Sequence, residues 1–587
     1  MGYVLFGVDL EKQKGKRNHT KNVQGASSKQ NVGALFRGMP GGGQIGIVAY
    51  GNQNRMFNGN PEITFFYKAY KRYTHFSQEN ISITLDGPNQ MMLDTPIKIR
   101  GKLPRHADLM TDLTFVFDLP EMYSKIFDIP GQPYDLPGAP SFRWIHMIGP
   151  MIIDTVSIYV GGSQIQTFPG EWIAVRATTD MNADRYLKWR SLVGDVPELN
   201  NPEWGILGKA ASYPFQKGEY PHNMLDPSGN ATAPSTPSRE IRVPLPFWFS
   251  ETWGAALPLV ALQLHEVEVQ IQLRTLREIY RVMDNTFQTE PVRYGRRLLN
   301  NPAYPVTTDL SVPVPPFNNL TLQANYNTWF DASGNLKIQN FYTQAGGVVP
   351  RQDGFVMNAR LEANYIYLTE KEQAVFAGRE LTHIVHQVQN FSFPAITTRT
   401  RLDLDVHGLI NRIVFFGRRS DAIESRNNYI NLSNWKYLNQ APYWPLPPAV
   451  PVPNSGQLIS YAQRDILRTA RLILAGNELQ EEKSAKFFEV QTPFMTTTGS
   501  GVAGLNGGLS PENVMGPMYQ MTFGLNASDH VQPSGTLNTS RIREVQLDVQ
   551  PWDLDPYSPF AYDFTVYCET INTVKITNGM GGLGFAI

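Results

Sequence analysis

Residues Ser157 to Gln166 read SIYVGGSQIQ, and Arg471 to Gln480 read RLILAGNELQ. Few letters match, yet apolar, small and polar types fall in the same order. In the first copy Val156, Ile158 and Val160 alternate with Thr155, Ser157 and Tyr159, the period of two that sends successive side chains to opposite faces of a sheet. Gly162-Ser163 then supplies the positive φ of a tight hairpin, and Ile165 lies in the returning strand. In the second copy Ala470, Leu472 and Leu474 form the apolar face, Gly476-Asn477 the turn, and Leu479 takes the place of Ile165. The run EVEVQIQ, Glu266 to Gln272, returns as EVQLDVQ, Glu544 to Gln550. There Val267, Val269 and Ile271 correspond to Val545, Leu547 and Val549 on a buried face, while Glu268 and Gln270 correspond to Gln546 and Asp548 facing out. A fainter echo, Thr74-His75-Phe76 and Thr382-His383-Ile384, precedes the others in each half. Three landmarks in one order imply a β domain present twice.

Two large β domains also suit 587 residues, because β-sandwiches commonly exceed 200 residues. Proline-rich runs such as LPLPPAVPVP and SVPVPPF cannot occupy helices or central strands and read as long ordered loops. With 42% hydrophobic residues the chain can fill large cores. The single cysteine, Cys568, excludes an intrachain disulfide framework and a zinc-type cysteine cluster, and fits folding in a reducing compartment. The start, MGYVLFGVDLEK, is broken at Asp9 too early for a secretory signal, and Phe6 stands where myristoylation needs Ser or Thr. No run of 18 apolar residues occurs, so a soluble protein is expected.

A net charge of −1 argues against general nucleic-acid binding, and no sequence-specific nucleic-acid contact is expected. The charge is uneven. Lys12, Lys14, Lys16, Arg17, Lys21 and Lys29 face only Glu11 within residues 11–30, which reads as a basic arm held by a partner. The organisation expected is therefore an arm over 1–44, a first β domain over 45–275, a linker or insertion over 276–353, and a second β domain over 354–587. Strand-like alternation begins near Ile45. Helices are predicted at Thr179 to Val193 and at Leu368 to Glu380, the latter with Thr369 as N-cap and Glu372 in the capping-box position. Residues 197–239 read as a long polar loop, and Asn230 is its best glycosylation candidate.

The chemical motifs are weak. The glycine clusters GMPGGGQIG and NGMGGLGFAI lack the Gly-Lys-Ser/Thr ending of a phosphate loop. His383 and His386 have helix-face spacing but sit in an alternating run that throws the rings to opposite faces, which favours core or surface histidines over metal ligands. Asp403, Asp405 and His407 share one strand face like a metal triad, yet Leu402, Leu404 and Val406 supply the buried face, so the acidic face reads as solvated. Cys568, in FTVYCETI, reads as a small core residue. No catalytic, cofactor or metal site is expected.

A family likeness rests on longer stretches. VAYGNQNRMFNGNPEITFFYKAYKRYTHFSQE at Val48 to Glu79 resembles the opening of the double jelly-roll major capsid proteins of nucleocytoplasmic large DNA viruses. The runs IHMIGPMIIDTVSIYVGGSQIQTFPGEW, PLPFWFSETWGAALPLVALQLHEVEVQI, NYIYLTEKEQAVFA, HVQPSGTLNTSRI and INTVKITNGMGGLGF resemble further signatures in the family's order. The resemblance implies an all-β fold of two tandem eight-stranded jelly rolls with long loop insertions and a few short helices. It also implies a non-enzymatic homotrimer of nearly hexagonal outline that meets neighbouring capsomers in an icosahedral virion shell assembled in the host cytoplasm. Long loops would face outward, and the basic arm would run toward minor capsid proteins or an internal membrane. Gly161, Gly162, Gly476 and Asn477 would make turns, and Trp172, Phe247, Trp248 and Phe249 would anchor cores. The rival readings are a minor capsid or penton-like paralogue and, from another class, a glycan-binding β-sandwich.

Overall fold

In the computed structural model the described residues are 42–68, 70–124, 140–200, 202, 234–284, 292–293, 338–342, 353–424, 427–434, 465–499, 515–542, 544–554 and 560–585. The basic arm and Asn230 lie outside them. The chain divides into two compact units, Met1–Thr74 and His75–Ile587. In the first unit, helices α1 (Gly42–Val48) and α2 (Asn52–Asn58) contain no buried residue. The strand pattern expected from Ile45 is thus corrected to helix. Ile45 and Val48 are also one helical turn apart, and so short a stretch satisfies either period.

Among the described residues, the larger unit holds sixteen principal strands beside several shorter ones. The first eight are β1 (Ser77–Thr84), β2 (Ile97–Lys102), β3 (Leu109–Leu119), β4 (Ile153–Val160), β5 (Ser163–Pro169), β6 (Arg239–Leu245), β7 (Val267–Leu273) and β8 (Arg360–Tyr367). They make two sheets, ordered β1-β8-β3-β6 and β2-β7-β4-β5. The second eight are β9 (Leu381–Ile396), β10 (Thr400–Asp403), β11 (Leu409–Arg419), β12 (Leu467–Leu474), β13 (Asn477–Ser484), β14 (Tyr519–Thr522), β15 (Val545–Pro551) and β16 (Tyr562–Thr577). Their sheets run β9-β16-β11-β14 and β10-β15-β12-β13, so each strand has its counterpart eight places on. These are two tandem jelly rolls. The doubled phrase is the β4–β5 hairpin and its copy β12–β13, and the second echo is β7 and β15.

Strand β8 corrects the expected domain boundary. It lies beyond residue 354 yet fills the middle of the first roll, pairing with β1 from Ser77↔Tyr367 to Thr84↔Arg360 and with β3 on its other side. Residues 276–353 are therefore an insertion between β7 and β8 of one roll, and no linker between rolls. A strand buried between two neighbours cannot be assigned from local pattern, because its partners lie hundreds of residues upstream. Part of the insertion is built into the core: Tyr280 stacks on Phe142 with ring centroids 5.4 Å apart, and Phe341 meets the same ring at 5.3 Å.

The hairpins sit one residue earlier than the sequence suggests. Val160 pairs with Ser163 and Leu474 with Asn477, so the turns are Gly161-Gly162 (φ +58° and +82°) and Ala475-Gly476 (φ +47° and +83°). Ser163 and Asn477 are strand residues. Two successive positive φ values match the right-handed twist of the flanking strands. Trp172, Phe247, Trp248 and Phe249 are all buried, as expected of core anchors. Helix α3 (Gly170–Asp180) leads directly into α4 (Ala183–Leu192), whose start is capped by Asn182 accepting from the Arg185 amide at 2.9 Å. Helix α5 (Glu370–Gly378) begins after Thr369 as expected, but no side-chain cap forms.

Within each sheet neighbouring strands are antiparallel. Each odd-to-even connection accordingly leaves from one end of its roll. The long connections β3–β4, β5–β6, β7–β8, β11–β12 and β13–β14 all belong to this class, while β4–β5 and β12–β13 turn tightly at the opposite end.

Candidate assembly surfaces

The two rolls meet across a face rich in both apolar and ionic contacts. Strand β5 and helix α3 of the first roll lie on the outer face of the β9-β16-β11 sheet of the second. Every residue from Gly170 to Thr179 is buried. Val385, Val414, Phe416 and Tyr567 of the second roll belong to the hydrophobic cluster that fills the first. Trp172 packs on Tyr567 with ring centroids at 5.3 Å. Burying side chains of this size contributes on the order of 2 kcal/mol each.

Polar groups fix the register. Gln166 Nε2 donates to the His386 carbonyl and Gln387 Nε2 to the Ile165 carbonyl, both at 2.8 Å. Glu171 receives Arg418 and the Tyr567 hydroxyl, the latter at 3.0 Å. At the end of α3, Asp180 accepts two hydrogen bonds from Arg412, whose Nε donates to Glu569 at 2.6 Å. Burial alone would raise the Asp180 carboxyl, but Arg412, then His530, holds it well below the usual range. Glu569 behaves alike, with Arg412 the main counter-charge. Buried carboxylates of this kind stay ionised only because their partners stay in place.

Among the described residues, the equivalent segment of the second roll has no such cover. Ile165 and Leu479 are both the bulged residue of their hairpin, so they are true counterparts. Ile165 is fully buried, whereas Leu479 is 52% exposed. The helical turns after β13, Phe487–Gln491 and Thr492–Thr496, stand in chain order where α3 stands after β5. They leave Val490, Phe494 and Met495 exposed at 49%, 85% and 66%. The complementary face, the outer side of the β1-β8-β3-β6 sheet, carries Glu240, Arg242, Arg360 and Glu362 in a row of ion pairs. The corresponding charged face of the second roll is covered by α3.

The other residues singled out from sequence fall as follows. Asp405 and His407 are exposed and 3.3 Å apart, over a buried face of Leu402, Leu404 and Val406. Cys568 is buried in the second core, where burial pushes its thiol pKa up. His383 and His386 lie on strand β9 and not on a helix. Asp548, expected in solvent, is instead 2% exposed because Arg399 and Arg471 close over it, Arg471 Nε at 2.8 Å. His386, Glu569, His530, Asp180 and Arg412 come from five distant segments, and no spacing in the sequence announces their meeting.

Two family models match this architecture. Residues 64–295 match the major capsid protein N-terminus, and residues 372–582 match the large eukaryotic DNA virus major capsid protein. The chain belongs to the large DNA virus major capsid proteins. It is 24% identical to the major capsid protein of Chrysochromulina ericina virus, over 93% of this chain and 100% of the relative. Identity to probable capsid protein 4 of Acanthamoeba polyphaga mimivirus is 22%, over 93% and 99%. Among solved structures, PBCV-1 VP54 covers 89% of this chain and 100% of its own at 18% identity and a TM-score of 0.56. The Faustovirus major capsid protein covers 88% and 93% at 14% identity and 0.51. As a major capsid protein the chain is a structural component of the virion, and its fold is the double jelly roll of these neighbours.

Proposed function

We propose that three copies of this major capsid protein close into a ring of six jelly rolls, a homotrimeric capsomer of nearly hexagonal outline. The observation that carries this reading is the unequal burial of counterparts. The face that Ile165 and α3 bury against the second roll is repeated by Leu479, Val490, Phe494 and Met495, and is left open. The sheet able to receive it is likewise covered in one roll and open in the other. A contact of the same kind between one copy's second roll and the next copy's first roll is heterologous, and three such steps close the ring. Permanent contacts of this sort bury some thousands of Å².

The long connections at one end of each roll form the outer tower of the capsomer, and the lysine-rich arm runs beneath it to an acidic minor capsid protein or the anionic inner membrane. Capsomers abut in an outer shell assembled in the host cytoplasm. The protein works through its surfaces and carries no catalysis. Electron micrographs of the purified protein test the ring: class averages with six lobes and three-fold symmetry support it, and isolated two-lobed particles contradict it.

A further inference from the structure

Beneath the end of α3, His386 on β9, His530 between β14 and β15, and Glu569 on β16 converge. Their ligand atoms lie within 4.8 Å of one another, and all three residues are buried. Glu569 Oε1 is 3.3 Å from His386 Nδ1 and 3.4 Å from His530 Nδ1. A charge-assisted hydrogen bond would draw nitrogen to about 2.7–2.9 Å. The observed separations equal instead the ~3.3 Å edge of a tetrahedron with metal–ligand bonds of about 2.0–2.1 Å.

The proton count points the same way. His530 Nε2 is 3.0 Å from Asp180 Oδ2, and Asp180 is gripped by both arms of the Arg412 fork, so it can only accept. Nε2 therefore carries the proton. In the neutral ring Nδ1 is then a lone pair aimed at Glu569 Oε1, another acceptor. Two acceptors face one another across the gap, and a cation between them removes the conflict. His386, 6% exposed, has neither ring nitrogen in a hydrogen bond, and His530 Nδ1 has none either. Asp180 holding the far nitrogen of a histidine is the carboxylate–histidine relay that orients metal ligands.

We propose that His386 Nδ1, His530 Nδ1 and Glu569 Oε1 bind one divalent transition-metal ion, with a water in the fourth position. Two imidazoles and one carboxylate are the donor set that suits zinc. Arg412 offsets one of the two carboxylate charges, leaving the other to the metal. The ion staples the rolls, because its ligands belong to the second roll while Asp180, which orients His530, belongs to the first. The site is independent of the trimer contact, and its failure would leave that reading intact.

Cobalt reports directly on such a site. The full-length chain, stripped with a chelator and titrated with Co²⁺, is expected to develop the visible absorption of a tetrahedral ion, saturating at about one ion per chain and lost on adding zinc. Zinc should also raise the melting temperature of the stripped protein. H386Q and H530Q should abolish the band, while H407Q, in the exposed pair, should keep it. The wild-type spectrum reads the site even where a variant fails to fold. Absence of the band, together with a melting temperature indifferent to zinc and chelator, would overturn the proposal and leave a proton as the bridging cation.

Discussion

Arg412 and Asp180 join the two jelly rolls through a fork, Nη1 to Oδ1 at 2.6 Å and Nη2 to Oδ2 at 2.8 Å. Arg412 is completely buried. Removing Asp180 leaves both buried Nη groups of Arg412 without their carboxylate acceptor, so Asp180→Ala should cost about 3–5 kcal/mol. The loss should appear as a lower melting temperature, with the rolls unfolding in two steps instead of one. The triple replacement Asp180→Leu, Arg412→Met and Glu569→Gln should recover part of that loss, since Arg412 also balances the buried Glu569 and no carboxylate is then left without its counter-charge. A triple variant as unstable as the single one would contradict this account of the fork.

Ala475 occupies a left-handed backbone position that Gly161 fills in the first hairpin. A Cβ at positive φ costs about 1 kcal/mol, so Ala475→Gly should stabilise the second roll by roughly that amount. Gly476→Val, at φ +83°, should do the reverse and lower the yield of soluble protein, because a β-branched residue tolerates that conformation least. Denaturant melts of the two variants check both signs.

Acid should weaken the fold in two stages. Asp195 accepts from Arg190 Nε at 2.6 Å and from Asn200 Nδ2 at 2.8 Å, with His146 beside it at 3.4 Å. Burial holds the His146 pKa below its ordinary value despite Asp195. The unfolded chain therefore takes up this proton before the folded one does, and stability falls as pH drops below about 6.5. Burial would raise the Asp195 carboxyl, but His146 and Arg190 more than reverse this, and its pKa is lowered. Its contribution is present above its unfolded value near 4 and is lost as pH falls through the lower folded value. Melting temperatures between pH 7 and 3 should fall in this order, and His146→Gln should make the first stage shallower. An unchanged slope in that variant would refute the assignment.

Where the sequence was legible, the reason is local. The β7 and β15 runs alternate because each has one face on a core, and their copies reveal the duplication. The eighth strand, Arg360–Tyr367, was assigned to the wrong roll because pairing with Ser77–Thr84 is set by sheet topology and leaves no mark on nearby residues. Helix α3 was missed for a different reason. Trp172, Ile173, Ala174 and Val175 are buried together with Glu171, Arg176 and Thr178, so the helix has no solvent-exposed polar face and no 3.6-residue signature. The same three-dimensional origin hides the His386, His530 and Glu569 cluster.

Phe494 and Met495 are exposed in the single chain, so polar replacements should not harm its fold. The double variant Phe494→Ser, Met495→Ser should melt as the native chain does at a concentration where both are monomeric. Its association should weaken by at least tenfold. Equal association of variant and native protein would remove these residues from the interface.

The most direct test of the ring is the native mass of the purified protein by light scattering after size exclusion. The account predicts a single species at three times the 66.1 kDa chain. A well-folded protein that stays at one chain mass at high concentration would contradict it.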